Sequence, residues 1–399
     1  MDVPVFTMVA PSETGLPHYN VHEQPMVLTE IRLRNFRNHA DSRVVLGDGI
    51  TALLGNNGQG KTNVLEGISY LGLTKSFYAS SDAMVLQIGK DEFDIEGTFQ
   101  GGSGVTHRVT VHYDKVSGTK QVSVDQQQPE TLASVIGRFP VVVLSPENSA
   151  ITSGSPGERR RFLDIVLSQL SGAHLSDLLE YRKALRQRNR MLSDLRLGGS
   201  DRPGALDSWT EALVARGSRI IARRAQFVRE FRPYVLNAYG ALVNDSEIPD
   251  LVYAATIDAE GSPEDLRNRM AGAFEGCAGE ERRRGLTLIG PHRDDLHLAL
   301  NGMQVHDFAS QGQHKSFLIA LKVAEFYYLR DRGGESPILL MDDVFSELDE
   351  YRSMNILRLA ADIGQAVITA TSEDVFHGGI PWDSHHRKVF VEHGTCRAT

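Results

Sequence analysis

The chain has 399 residues, of which 41% are hydrophobic and 23% charged, with a formal net charge of −9. These values describe a soluble globular protein of roughly two to three structural units, with core enough to fold without staples. They exclude a uniformly basic nucleic-acid binder but not a local basic face, and two lone cysteines, Cys277 and Cys396, exclude a disulfide framework or a cysteine zinc site and fit a reducing, cytoplasmic setting.

In chain order, residues 1–25 hold four prolines, few charges and no basic-then-apolar layout, so they read as a flexible extension and not as a signal peptide. No apolar run is long enough to span a bilayer. From Val27 to Leu33, Val27, Ile31 and Leu33 share one face of a half-buried strand and Glu30, Arg32 and Arg34 the other. Asn35 to Asn38 then turn, and strand character resumes at Val44–Leu46.

Next comes the apolar run Ile50–Leu54, then Gly55-Asn56-Asn57-Gly58-Gln59-Gly60-Lys61-Thr62, then the helical pattern Val64, Leu65, Ile68, Leu71. Strand, glycine loop and helix are the context in which GxxxxGK[ST] is a phosphate-binding loop. Its glycines let backbone N–H groups curl around phosphate oxygens, and the helix N-terminus adds partial positive charge. Lys61 has the reach for the β- and γ-phosphates, and the Thr62 hydroxyl suits Mg²⁺. With Asn63 directly after it, this segment is the expected ATP site; the bland alternative is a glycine turn with an incidental lysine.

Residues 93–125 alternate as an antiparallel meander, and Val141–Leu144 suits a buried strand. From Glu158 to about Tyr239 the pattern turns helical, with Leu206, Trp209, Leu213, Ile220, Phe227 and Phe231 at helical spacing and a break from Gly198 to Gly204. Residues 158–233 carry 16 Lys and Arg against 9 Asp and Glu. Such a run is either a solvated helix face or a surface for DNA phosphates. Aromatic interleaving is sparse, so stacking on single-stranded bases is not indicated.

The last third returns to α/β character, with a helix over Phe317–Tyr328 and buried strands at Ile338–Met341 and Val367–Thr371. Ile338–Met341 ends in Asp342-Asp343. A carboxylate there suits Mg²⁺ binding by Asp342, while Asp343 is placed to orient the attacking water, short by one methylene against glutamate and therefore slow. The alternative for this pair is a loop start or helix cap.

The order of parts (phosphate loop, distant Ser310-Gln311-Gly312-Gln313, apolar strand ending in acids, then Glu347-Leu348-Asp349) resembles an ABC-type ATPase head. Six pieces in order, beside the phosphate loop, make the chain similar to the RecF family of bacterial recombination mediators, relatives of the SMC heads. They are Leu33–Asn38, Pro146–Pro156, Arg159–Asp164, Gly290–Asp295, Ser310–Gln313 and Asp342–Asp349. Tyr78 stands where such sequences often have arginine, and Thr152 where an aliphatic residue is usual. The resemblance implies an α/β ABC-type (SMC-head-like) P-loop ATPase lobe with a helical second lobe inserted. It divides the chain into 26–160 and 285–399 for the ATPase lobe and 161–284 for the helical lobe. It further implies an ATP-dependent homodimer in which Ser310 and Gly312, with Gln313 beside them, meet the γ-phosphate held by the other subunit's loop. Glu147 falls at the lid position, where it would help place Mg²⁺ or water, and Arg37 and Asn38 fall where adenine or phosphate is contacted. A plain helix cap at Ser310 is the competing reading, with a helix starting at about Lys315. His292 and Arg293 divide between structural hydrogen bonding and function.

By the same resemblance the chain binds DNA and ATP with Mg²⁺, works with RecR and RecO to load RecA, and acts in replication, gap repair and the SOS response. Three other classes share some parts. An SMC cohesion protein would need long heptad arms that the insert between the two half-sites is too short to hold. A transporter's ATP-binding subunit leaves the basic helices and Gly290–Asp295 unexplained, and a small-molecule kinase needs no signature loop.

Overall fold

The structure, a computed structural model, describes residues 26–101, 104–198, 204–243, 247–345, 350–376, 380 and 382–398. The N-terminal extension and the Glu347-Leu348-Asp349 segment lie outside the described residues. In chain order the strands are β1 Val27–Phe36, β2 His39–Val45, β3 Ile50–Leu54, β4 Glu92–Gln100, β5 Thr106–Asp114, β6 Thr119–Val124, β7 Val141–Leu144, β8 Pro249–Ala254, β9 Asp295–Leu300, β10 Met303–Gln304, β11 Ile338–Met341, β12 Ala366–Ala370, β13 Arg387–Glu392 and β14 Thr395–Ala398. The helices are α1 Lys61–Leu73, α2 Ala150–Ser153, α3 Pro156–Leu170, α4 Gly172–Arg196, α5 Ala205–Leu242, α6 Pro263–Arg284, α7 Val305–Phe308, α8 Gln311–Gly333 and α9 Glu350–Ile363.

The described residues fall into two compact units. The first takes them from Met1–Ser149, Tyr234–Ser246 and Lys315–Thr399, the second from Ala150–Pro233 and Glu247–His314. The resemblance places the lobe limits at 160/161 and 284/285. By compactness α2, all of α3, β9 and β10 also group with β8 in the second unit, where they pair or pack, and the described residues of Tyr234–Ser246 group with the first.

In the first unit a five-stranded antiparallel sheet runs β2-β1-β4-β5-β6, and a six-stranded sheet runs β14-β13-β3-β12-β11-β7. Neighbours from β13 through β7 pair in parallel, and β14 closes the edge antiparallel. β3, β7, β11 and β12 are buried along their whole length, as strands of a covered parallel sheet are. Of the 13 residues of α1, Val64, Leu65, Ile68 and Leu71 are fully buried, and glycine, serine and Glu66 are buried with them. A helix apolar on several sides belongs between layers. β1 departs from the expected face at its start: a bulge between Leu28 and Glu30 shifts the register, so Leu28 is buried and Val27 only partly.

The second unit is built on α3 to α6 with the three-stranded sheet β10-β9-β8. Its core joins Tyr181 of α4, Leu213 and Ile220 of α5, and Met270 and Phe274 of α6. The helical run, expected to divide into at least two helices, also breaks at Ser171, whose hydroxyl accepts from the His174 N–H and caps α4.

Candidate nucleotide-binding site

The site grows from the end of β3. Gly60 takes φ 112° at the N-cap of α1, and a Cβ there would lie 2.5 Å from the Asn38 side chain, so only glycine lets the loop pass. No side chain caps α1, which leaves the first N–H groups of a 13-residue helix to face the cleft. The loop is braced from behind. Asn38 Nδ2 and the Gly394 N–H both donate to the Gln59 carbonyl at 2.9 Å. His39 Nε2 donates to the Gly60 carbonyl at 3.1 Å, and burial keeps that imidazole neutral by pushing its pKa down. Asn63 Nδ2 donates to Asn38 Oδ1 at 2.8 Å.

Lys61 donates to the carbonyls of Gly55 at 2.6 Å and Asn56 at 2.9 Å. Burial lowers its pKa, and Asp342 and Asp343 act against that shift. The Thr62 hydroxyl donates to Asp342 Oδ1 at 2.8 Å, joining the loop to the end of β11. Thr369, on β12 between those strands in the sheet, donates to the same oxygen at 2.9 Å and accepts the Asp343 N–H at 2.9 Å. Burial raises the Asp342 pKa, the two threonine hydrogen bonds oppose it, and Glu147 and Asp343 nearby add to it. Asp343 is exposed and held at φ 47°, a left-handed conformation that aspartate tolerates and that recurs at functional sites.

One cleft of about 410 Å³ is lined by Arg37, Asn57, Gly58, Gly60, Lys61, Thr62, Asn63, Glu147, Asp342 and Asp343, with Thr369 and Tyr78. Arg37 is committed within the protein: Nε and Nη2 each donate to Glu66 at 2.8 Å, and Nη1 to the Met84 carbonyl at 3.0 Å. Tyr78, 57% exposed, stands at the rim on a turn whose Tyr78 and Ala79 N–H groups donate to Ser76 Oγ. The donor set fits Mg²⁺: hard oxygens from one hydroxyl and carboxylates, few enough that phosphate and water complete the shell. Among the described residues no cluster of three or more acids, histidines or cysteines offers an all-protein metal cage.

Ser310, Gly312 and Gln313 belong to the second unit. The Ser310 N–H donates to Gln313 Oε1 at 2.7 Å and the Gln313 N–H to Ser310 Oγ at 3.3 Å. This reciprocal cap opens α8 at Gln311, four residues before the expected Lys315, because the serine and glutamine satisfy each other's backbone. Gln313 Nε2 also donates to Glu247 at 2.6 Å.

Gly290–Asp295 is a hydrogen-bonded turn in the same unit. Gly290 has φ 122°, and a Cβ there would lie 2.3 Å from Tyr181 Oη. His292 Nδ1 accepts from Tyr181 Oη at 2.7 Å while Nε2 donates to the Thr287 carbonyl at 3.2 Å. Burial pushes His292 down to about 4, so it is neutral at pH 7. Asp294 is buried and accepts from Tyr253 and from the Thr256 N–H, and Arg159 forks onto Asp295 at 2.8 Å. Arg293 alone is exposed.

Sequence reasoning missed Thr369, His39 and Glu66 as site-building residues. Thr369 had a readable signal, a polar residue near the end of an otherwise apolar buried strand. His39 and Glu66 had none, since their partners are 21 and 29 residues away.

The profile of the RecF/RecN/SMC N terminal domain family matches residues 27–396. A DNA replication and repair protein RecF from Chloroherpeton thalassium is 42% identical over 88% of this chain and 96% of its own length. One from Salinibacter ruber is 39% identical over 92% and 91%. A solved structure of the recombination mediator protein RecF with ATP, in the RecFOR pathway, superposes with a TM-score of 0.84 at 27% identity, over 94% of this chain and 99% of that one. An Smc head domain from Pyrococcus furiosus shares the fold, at a TM-score of 0.53 and 13% identity. The fold is that of the ABC-type P-loop ATPases, and the chain belongs to the RecF family of DNA replication and repair proteins.

Proposed function

We propose that the chain is an ATP-binding recombination mediator that dimerises on ATP, binds DNA and hydrolyses ATP slowly, in the cytoplasm. The observation that carries this reading is the Thr62–Asp342 hydrogen bond at the mouth of a phosphate loop. It brings the two oxygen ligands expected for Mg²⁺ together beside Lys61. Backbone N–H groups of the loop and the α1 N-terminus bind the triphosphate, and Lys61 neutralises it. Bound Mg²⁺, held by Thr62, Asp342 and Glu147, would offset negative charge on the phosphates. Asp343 orients the attacking water and accepts its proton.

In this reading ATP is chiefly a conformational ligand. The γ-phosphate, on one subunit's loop, is met by Ser310, Gly312 and Gln313 of a second copy, so ATP favours the closed dimer and ADP does not. The relatives' names support replication and repair as the setting; RecR and RecO as partners, RecA loading and SOS induction are further parts of the same proposal. The expected domain limits serve the same picture, with the ATPase lobe in 26–160 and 285–399 and the helical lobe in 161–284.

The test is molar mass by light scattering with ATP, with ADP and without nucleotide, beside Ser310→Arg. A doubling with ATP alone, lost in Ser310→Arg, is the expected result. A mass that never changes at micromolar protein would remove the shared site, and the chain would be an ATP-binding module completed by another protein.

A further inference from the structure

The nucleotide cleft has two sides, and the order of strands distinguishes them. β3 feeds the phosphate loop, and β12, β11 and β7 follow it on one side of the sheet. At or just past their carboxyl ends lie Thr369, Asp342 and Glu147. On the other side of β3 come β13 and β14. Their turn reaches the β1–β2 hairpin: Ser42 donates to the Gly394 carbonyl, and a Cβ at Gly394 would meet the Asn38 carbonyl. Asn38 accepts from Asn63 of α1, and Arg37 forks onto Glu66, about one turn further along that helix.

Tyr78 belongs to this second side, because the turn that bears it is tied to Glu66. Ser76 is buried, donates to Glu66 Oε1, and accepts the N–H groups of Tyr78 and Ala79 at 2.8 and 2.6 Å. Glu66 is itself buried and gripped by Arg37, so the backbone of the turn is fixed while the Tyr78 ring stays 57% exposed. The Tyr78 hydroxyl lies near the Arg37 guanidinium and has no hydrogen-bond partner among the described residues. Among the described residues that line the cleft, Tyr78 alone is aromatic. Asn57, Asn63, Lys61 and the acids suit phosphate and Mg²⁺ and leave a purine unmet.

A triphosphate in this cleft is oriented by its own chemistry. Its γ end belongs with Thr62, Asp342 and Asp343, the expected metal ligands and water-orienting acid, so its α end and base leave towards the β1–β2 turn. We propose that the Tyr78 ring is the platform on which the nucleotide's base stacks. The claim rests on the ATP-binding reading above and gives that site its base-holding residue. Stacking of a base on an aromatic ring needs only two π faces and tolerates any base. Tyr78 therefore separates a nucleoside triphosphate from a bare polyphosphate, not adenine from guanine. Because the turn is pinned, stacking orders one side chain and no loop, which keeps the entropy cost low.

The experiment is calorimetric titration of the full-length protein with Mg²⁺–ATP and, separately, with Mg²⁺–tripolyphosphate, which has the phosphates and no base. It is run in the Ser310→Arg background, so that closure onto a second copy does not enter the affinity. The variants are Tyr78→Ala and Tyr78→Phe. Tyr78→Ala is expected to weaken ATP binding about 10-fold, within the range for one base on one aromatic ring, and to leave tripolyphosphate binding unchanged. Tyr78→Phe keeps both affinities. Parental ATP affinity in Tyr78→Ala would overturn the platform and leave the ATP site standing. An equal loss of ATP and tripolyphosphate would overturn it too, since the ring would then be shaping the phosphate loop. A loss as large in Tyr78→Phe would assign the effect to the hydroxyl and overturn stacking. A parent and a background protein that bind neither ligand would overturn the ATP-binding reading and the platform together.

Discussion

The two units use charge in opposite ways. In the first, Asp342 at the end of β11 stands against the loop with Lys61 and Thr62, and burial works against the charge of Asp342 and of Lys61. In the second, almost every buried charge has found an opposite one. Asp164 accepts both Nε and Nη2 of Arg224, at 3.0 and 2.8 Å. Burial opposes ionisation of that carboxyl, yet Arg224 beside it holds its pKa below the ordinary value. A site that must meet a triphosphate keeps charge unspent, whereas a scaffold consumes it. A motif's chemistry-rich composition therefore does not say which of the two it serves: Asp342 and Asp294 are both buried on neutral hydrogen bonds, whereas Asp343 lines the cleft and Asp295 is forked by Arg159.

The sharpest way to break this comparison is Asp343→Asn. If the carboxylate is catalytic, ATP turnover falls about 10²- to 10⁴-fold, the range for a general base, while ATP affinity is retained. Undiminished turnover would move Asp343 to the scaffold class. Next comes Arg224→Met, which strands Asp164 without its buried partner. Unfolding by urea should show a loss of about 3–5 kcal/mol, and Arg224→Met/Asp164→Leu should recover most of it. A single variant as stable as the parent would mean that this pair is not structural.

The smallest effect concerns His292. An unfolded histidine takes its proton near its ordinary 6.5, and the folded one resists until about 4. The neutral side chain thus contributes stability above pH 6.5 that is lost as pH falls from 6.5 towards 4, about 2 kcal/mol by pH 5. His292→Gln should flatten that part of the pH dependence of urea unfolding. An unchanged slope would show that the imidazole is not held neutral, and would reopen a chemical role for the turn.

Much of the first unit was legible because its signals are local. GxxxxGKT, the largely apolar strands β3, β11 and β12, and the acids after Met341 each declare themselves within a few residues. The second unit was harder for a physical reason. Its basic residues are answered in part by Asp250, Glu281 and Asp295, none of which lies in the window where the excess was counted. Short strands such as β9 and β10 were hidden beside a motif rich in polar residues. The cap at Ser310 was readable as S-x-x-Q, and the helix start was set too late because no apolar residue lies between Ala309 and Phe317. Thr369 was visible as a residue but not as a bridge, since hydrogen-bond direction does not appear in a sequence.

The C-terminal hairpin of β13 and β14 gives the phosphate loop a history as well as a shape. The His393 N–H donates to Gln59 Oε1 at 2.7 Å across 334 residues, Gly394 holds the Gln59 backbone, and Ser42 donates to the Gly394 carbonyl. During synthesis the loop leaves the ribosome long before this brace exists. Contacts of such separation form late, after the entropy of closing a very long loop has been met. The nascent chain therefore carries the GxxxxGKT segment with the upstream braces of Asn38 and His39 but without those of the hairpin, which arrive last.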